Sequence, residues 1–132
     1  MNRRDVMMLA GAAMLAAGTA SADTLQYTPG LVTERLAAGE TVFPDFFAPW
    51  CSTCRAQERH IDALRAETPG YDASMTFIRV DWDSYGQSAL AQSLQIPRRS
   101  TLVVLRGDQE LGRLVAGTRR ADIQALLDLG LS

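Results

Sequence analysis

The stretch "TVFPDFFAPWCSTCRAQERHIDALRAE" begins at Thr41 and contains the only two cysteines of the chain, Cys51 and Cys54. The part before the cysteines, "TVFPDFF", is apolar and rich in β-forming residues, which predicts a buried strand. Pro44 within it is compatible only with a sheet edge or a bulge. The part from the first cysteine onward predicts a helix. The residues expected to face inward are Ala56, Ala63 and Leu64 or Ile61. The cysteine pair therefore lies at a strand-to-helix junction.

This junction predicts different properties for the two thiols. At a helix N-terminus the unpaired N–H groups and the macrodipole favour an anion, so the pKa of Cys51 should be lowered. We expect Cys51 to be exposed there. Cys54 falls inside the first turn and is placed to be the shielded resolving thiol.

Alternative uses of the pair are limited by the rest of the sequence. A disulfide between Cys51 and Cys54 closes a very short loop, and such a loop adds little stability. A structural zinc site needs four ligands, and His60 is the only histidine. Covalent haem requires a histidine directly after the second cysteine, where Arg55 stands. A dithiol that cycles between reduced and oxidised forms is favoured, with a zinc or copper site as the alternative.

Composition indicates one globular domain and no nucleic-acid partner. The chain has 132 residues, of which 47% are hydrophobic and 21% charged, the balance expected for a single core. Its net charge is −2, and its 13 basic residues, all arginine, are scattered. No basic stripe interleaved with aromatic residues is present for a phosphate backbone.

The first 22 residues predict an export signal. Arg3 and Arg4 precede an apolar stretch, and Ala20 to Ala22 fit a small-residue cleavage site, so the mature domain would span 23–132. The apolar stretch is shorter than the ~20 residues of a membrane-spanning helix, although an uncleaved anchor is the alternative. The arginine pair is similar to a twin-arginine signal, but Asp5 weakens that match. We expect a periplasmic or otherwise exported protein with no stable membrane insertion after cleavage.

The remaining pattern alternates between strand and helix. Helices on both faces of a mixed sheet of four to five strands are therefore expected, which is an α/β fold. The predicted strands are 24–27, 41–47, 75–81, 101–106 and 110–116, and the predicted helices are 30–38, 51–67, 85–94 and 119–129.

In this order and at these offsets, the chain resembles the thioredoxin superfamily over residues 24 to 130. The resemblance is carried by Trp50-Cys51-x-x-Cys54, by Asp45 six residues before the first cysteine, and by the strand "FIRVD". The segment "STLVVLRGDQELGRLVAG" looks like the closing hairpin of that family.

The resemblance implies a thiol-disulfide oxidoreductase that acts on protein disulfides without a bound cofactor or metal. It makes Cys51 the attacking thiol, Cys54 the resolving thiol, Trp50 part of the substrate-facing rim and Asp45 the buried acid beneath the pair. A carboxylate with a raised pKa could accept the Cys54 proton through water. The alternatives are a strand-end Asp45 bonded to backbone and a Trp50 that is an ordinary boundary aromatic.

The loop that should face the cysteines departs from the family. Ser100 stands where the family carries a cis-proline, and a cis bond before a non-proline residue costs about 2.5–4 kcal/mol. Arg99, Ser100 and Thr101 are the predicted substrate-binding residues of this loop. Arg98 and Arg99 either form a solvated turn or favour the Cys51 thiolate and attract an acidic partner.

The dipeptide between the cysteines also differs, since Ser52 and Thr53 replace the Gly-Pro of ordinary thioredoxins. Arg59 takes the place of a usual proline. We expect a reductase that receives electrons from a membrane protein. A disulfide-donating oxidase or isomerase, and a metal- or haem-related carrier on the same fold, are the alternatives.

Overall fold

A computed structural model describes residues 23–131, so the predicted leader, residues 1–22, lies outside the described residues. The strands are β1 (Leu25–Gln26), β2 (Thr41–Phe47), β3 (Met75–Asp81), β4 (Thr101–Arg106) and β5 (Gln109–Val115). The helices are α1 (Leu31–Ala37), α2 (Ser52–Glu67), α3 (Gly70–Ser74), α4 (Trp82–Tyr85), α5 (Ala89–Ser93) and α6 (Arg120–Asp128). In the described part of the chain no helix has both the length and the apolar character needed to cross a membrane.

The five strands form one mixed sheet in the order β1-β3-β2-β4-β5. β3 runs parallel to both β1 and β2, whereas β4 is antiparallel to β2 and to β5. The last two strands are joined by a tight turn in which Gly107 has a φ of 61°, a left-handed conformation that glycine adopts without strain. The predicted α/β fold with a closing antiparallel hairpin is confirmed.

Pro44 was predicted to lie near a sheet edge or a bulge. This prediction was wrong, because β2 is the middle strand of the sheet. Pro44 is aligned with Ile78 of β3. On the other side, the pairing of β2 with β4 includes Val42 and Asp45 but is interrupted between them. The missing N–H of proline therefore falls where the ladder to β4 is already broken.

Alternation along β2 divides the core into two layers. Phe43 lies in the layer with Ile61 and Leu64 of α2 and Leu127 of α6. Val42 and Phe46 belong to the opposite layer, whose other members include Val32, Ile78, Val80 and Val103. Helices thus cover both faces of the sheet. Asp45, two residues after Phe43, shares the face covered by α2.

The helix predicted over 85–94 is two short helices, α4 and α5. Ser88 separates them because its side chain accepts a hydrogen bond from the N–H of Ala91 at 3.2 Å and so caps α5. The short helix α3 was not predicted. In α2 the buried residues are Cys54, Gln57, Ile61 and Leu64. Ala56 and Ala63, which were expected to face inward, are only half-buried, and Gln57 was missed.

Candidate active site

Cys51 is the N-cap of α2. Its backbone is extended, with φ −89° and ψ 114°, and its Sγ accepts a hydrogen bond from the N–H of Cys54 at 3.1 Å. A capping oxygen normally takes this position, since the first N–H groups of a helix have no partner within the helix. The spacing of three residues between the cysteines therefore places a sulfur where an anion is favoured.

Both cysteines are free thiols and both are buried, each with 3% of its surface exposed. The expectation that Cys51 is exposed was wrong. The reason is local packing, because Ala48 and the two cysteines form a small cluster against which the half-buried Phe47 and Trp82 pack. Exposure does not distinguish the two thiols.

Hydrogen bonding and charge distinguish them instead. Burial opposes the thiolate of Cys51, but hydrogen bonds from Cys54, Ser100 and Arg99 outweigh it and lower the pKa of Cys51 to about 7. Burial raises the pKa of Cys54, and its hydrogen bond to Cys51 raises it further. At neutral pH about half of Cys51 is therefore the reactive thiolate, whereas Cys54 is a neutral thiol.

Ser100 lies directly against both sulfurs. Its Oγ is 3.2 Å from Sγ of Cys51 and 3.0 Å from Sγ of Cys54, and the residue is fully buried. The peptide bond before Ser100 is trans, and its φ of 65° is left-handed, a conformation uncommon for a residue other than glycine.

The backbone of Ser100 is held from three directions. Its N–H donates to the carbonyl of Phe46 at 2.6 Å, and its carbonyl accepts from the N–H of Ala116 at 2.8 Å. The Nε2 of Gln57 donates to the same carbonyl at 3.0 Å and to that of Gly117 at 2.9 Å. These bonds fix the loop against α2.

Gln57 was overlooked because a glutamine suggests a solvated helix position. The spacing of Cys54, Gln57, Ile61 and Leu64 by three and four residues places them on one face of a helix, and this signal could have identified it.

Trp50, Arg99 and Asp83 meet beside the cysteine pair. Trp50 is 58% exposed, and its indole N–H donates to the carboxylate of Asp83 at 3.0 Å. The guanidinium carbon of Arg99 lies 4.4 Å from the centre of the indole ring, within the range of a cation–π contact. Arg99 is half-buried, so it is placed as a rim residue. Asp83 was not predicted.

The predicted substrate-binding residues are thus divided between surface and interior. Trp50 and Arg99 reach the rim, whereas Ser100 and Thr101 are fully buried. The hydroxyl of Thr101 donates to the carbonyl of Arg98 at 2.7 Å, inside the loop. A role of these four residues in substrate binding stays a prediction.

Asp45 is a buried acid on β2. Burial raises its pKa to about 7, against the opposing charge of Arg79 and with support from the negative charges of Glu58, Asp62 and Cys51. Its Oδ1 is buried and has no hydrogen-bond partner among the described residues. This oxygen therefore gives no support to the alternative that the carboxylate is bonded to backbone.

A cavity of about 310 Å³ opens beside Asp45 and is also lined by Glu58, Asp62 and Arg79. The guanidinium of Arg79 pairs with Glu58 at 3.0 Å on its wall. The cavity is polar and large enough to hold water, so Asp45 can exchange protons with solvent from this side.

The dithiol lies at the N-terminus of α2, beside a five-stranded mixed sheet. One of its sulfurs is favoured as an anion, and the strand before it carries a buried acid. This arrangement defines a site for thiol-disulfide exchange. Between residues 23 and 131, no group of three or more histidine, cysteine and acidic side chains is placed to hold a metal ion.

Comparison with known proteins agrees with this class. Residues 26–129 match the thioredoxin family model, and the chain belongs to the thioredoxin family. It is 23% identical over 91 residues to a thioredoxin of Porphyra purpurea, covering 69% of this chain and 80% of that one. It is 26% identical over 96 residues to thioredoxin 1 of Nostoc sp., covering 72% of this chain and 84% of that one.

A solved structure shares the fold at higher identity. The structure of Trxlp from Edwardsiella tarda has a TM-score of 0.68 and 29% sequence identity, and the match covers 83% of this chain and all of that one. The protein is therefore a thioredoxin-type thiol-disulfide oxidoreductase with Cys51 and Cys54 as its redox pair.

Proposed function

We propose that the chain is an exported reductase of protein disulfides, in which Cys51 attacks and Cys54 resolves. The observation that supports this division of roles is the difference between the two thiols. A large fraction of Cys51 is thiolate near neutral pH, while Cys54 is held as the neutral thiol. Thiol-disulfide exchange requires a thiolate for the attack and a second thiol to complete the reaction.

The first step forms a bond between Sγ of Cys51 and one sulfur of the substrate disulfide. The other substrate sulfur leaves as a thiolate and takes a proton from solvent. In the second step Cys54 loses its proton and attacks Sγ of Cys51, and the remaining substrate sulfur leaves. The substrate gains two electrons, and the enzyme is left with a disulfide between Cys51 and Cys54.

Asp45 is the group proposed to accept the proton of Cys54. The carboxyl titrates near pH 7, so close to neutrality a large fraction is ionised and able to act as a base. It lies on β2, close enough to Cys51 for their charges to interact, and it faces a polar cavity that can hold water and pass the accepted proton on to solvent.

The direction of the reaction follows from what the active-site segment lacks. Strong oxidants of this class stabilise their reduced form with unusual donors at the attacking thiolate. Here Ser52 and Thr53 supply at most hydroxyl groups, and the single histidine, His60, lies outside the cysteine motif. Arg99 works in the opposite sense, because it stabilises the thiolate.

Equilibration of the cysteine pair with glutathione buffers tests this direction. We expect a reduction potential closer to the roughly −270 mV of thioredoxin than to the roughly −120 mV of a strong periplasmic oxidase. A value near the second figure would make the protein a donor of disulfides, which is the alternative function.

Export is proposed from the leader alone, residues 1–22, and with it an electron-donating partner in the membrane. N-terminal sequencing of the native protein tests the first part. We expect the mature chain to begin at Asp23, whereas a native chain that retains Met1 in the cytoplasm would contradict export. The control is the variant Ala20→Arg with Ala22→Arg, which should remain uncleaved because large charged side chains do not fit the small-residue cleavage site.

A further inference from the structure

Ser100 is the only described residue outside the cysteine pair whose side-chain oxygen lies within hydrogen-bond distance of both sulfurs. Its hydroxyl has one proton to give and lone pairs to accept with. With Cys51 as the anion, the hydroxyl proton has one favourable acceptor, the Cys51 sulfur. The lone pairs then face the S–H of Cys54, a proton that this oxygen shares with the Cys51 sulfur as acceptor.

We propose that Ser100 is a catalytic residue of the exchange reaction, donating a hydrogen bond to the Cys51 thiolate while accepting one from the Cys54 thiol. The two hydrogen bonds run in one direction, from Cys54 through Ser100 to Cys51. They therefore specify that Cys51 is the cysteine that carries the negative charge. The proposal rests on the exchange chemistry of the pair and not on whether the protein reduces or oxidises its partners.

The position of the hydroxyl is fixed by the backbone around it. Three hydrogen bonds, from or to Phe46, Gln57 and Ala116, hold the peptide groups of Ser100. The residue keeps a left-handed φ that disfavours a side chain, and the strain is tolerated where the surrounding structure determines the conformation. Because the backbone is already held, the hydroxyl forms its bonds with little ordering cost when the thiolate appears.

Other groups also influence the Cys51 thiolate, so the test must separate their effects from that of the Ser100 hydroxyl. From α2 the thiolate faces the thiol and the N–H of Cys54, and from the loop before β4 it faces Arg99. From β2 it interacts electrostatically with Asp45. A hydrogen bond to a charged group is stronger than one between neutral groups, so loss of the hydroxyl should be measurable while these groups remain.

The test compares Ser100→Ala and Ser100→Gly with the matched control Ser93→Ala. The hydroxyl of Ser93 is exposed and bonds only to the carbonyl of Leu90 among the described residues. Glycine adopts the left-handed φ without strain, so Ser100→Gly removes the hydroxyl while favouring the backbone conformation. Alkylation of reduced protein by iodoacetamide is followed from pH 5 to 10, with fragment-ion mass spectrometry to assign each cysteine.

In both Ser100 variants we expect the midpoint of Cys51 alkylation to rise by about one pH unit, a tenfold change in the ionisation equilibrium. The Cys51 rate should fall roughly fivefold at pH 7 and return to within about twofold of the unmodified protein at pH 9, where the thiolate forms regardless. Ser93→Ala should match the unmodified protein at every pH. A defect of folding would not be reversed by alkali.

If the midpoint of Cys51 alkylation is unchanged in Ser100→Gly, the proposal is wrong whatever Ser100→Ala does. A shift seen only in the alanine variant would come from the backbone and not from the lost hydroxyl. A measurement on the unmodified protein applies even if the variants fold poorly. The Ser100 hydroxyl proton should give a slowly exchanging NMR resonance in the reduced protein, with cross-peaks to the β-protons of both cysteines. Its absence there would also contradict the proposal.

Discussion

Replacing Cys54 with serine should abolish repeated turnover while leaving the first attack almost unchanged. The Cys51 thiolate keeps the backbone N–H of residue 54 and the Ser100 hydroxyl as donors, and the new serine hydroxyl can donate in place of the Cys54 thiol, so the reactivity of Cys51 should change little. The second step has no nucleophile, because a hydroxyl does not displace a thiolate from a disulfide at neutral pH. We expect turnover to fall by about 1,000-fold or more, the scale seen when one member of a cooperating catalytic unit is removed.

Steady-state reduction of a protein disulfide and stopped-flow measurement of the first attack together check this prediction. The rate of the first attack should stay within about threefold of the unmodified protein, a range that reflects the exchange of a thiol donor for a hydroxyl donor beside Cys51. If Cys54→Ser retained multiple turnover with the same substrate, the resolving role of Cys54 would be wrong.

The second large effect is expected for Asp45→Asn, and it concerns both rate and stability. Without the carboxylate, transfer of the Cys54 proton loses its base, and resolution should slow by about 100-fold, the lower end of the range for positioned general bases. The first attack should be nearly unaffected, since Asp45 influences Cys51 only through its charge. Single-turnover kinetics separate the two steps.

Although Asp45→Asn should slow resolution, it should increase the stability of the fold. Burial raises the pKa of Asp45 from 3.8 to about 7, so the folded state favours the protonated acid more than the unfolded state does. The stability contributed by this group is complete below pH 4 and is lost as the pH rises to about 7. The loss corresponds to about 4 kcal/mol at 1.36 kcal/mol for each pKa unit.

Asp45→Asn has no such titration, so it should unfold at higher urea concentration than the unmodified protein at pH 8 and show no such gain at pH 4. The buried amide reduces the gain to about 2–3 kcal/mol, because a buried polar group without a partner is itself costly. The control is Asp62→Asn, which removes an exposed acid from the wall of the same cavity. If resolution and first attack slow equally and no pH-dependent gain in stability appears, Asp45 is structural.

Much of the fold could be predicted because several local patterns agree. The cysteine spacing, the apolar strand before it and the closing hairpin each specify one element, and the order of strands and helices then leaves few topologies. β2, β3 and β4 were predicted with the bounds that the structure shows. The place of β2 was misjudged because a proline indicates only that one backbone N–H is missing from the strand. A gap in the pairing between strands accommodates the missing N–H as well as a sheet edge does.

The site was harder to predict where it depends on contacts between distant residues. The exposure of Cys51 could not be inferred from its place at a helix start, because residues such as Phe47 and Trp82 cover the pair only after folding. Asp83 reaches Trp50 across 33 residues of sequence. Ser100 was expected to face the cysteines, but the contact of its hydroxyl with both sulfurs depends on a left-handed backbone that no local signal indicates.

Comparison of Cys54→Ser with Cys51→Ser tests the assignment of attacker and resolver most directly. Each variant is mixed in its reduced form with a protein disulfide, quenched with acid, and examined by mass spectrometry for a covalent adduct with the substrate. We predict that Cys54→Ser accumulates close to one mixed disulfide per chain, while Cys51→Ser accumulates almost none at pH 7, because its remaining thiol is neutral. Equal yields from the two variants, or a larger yield from Cys51→Ser, would contradict the account.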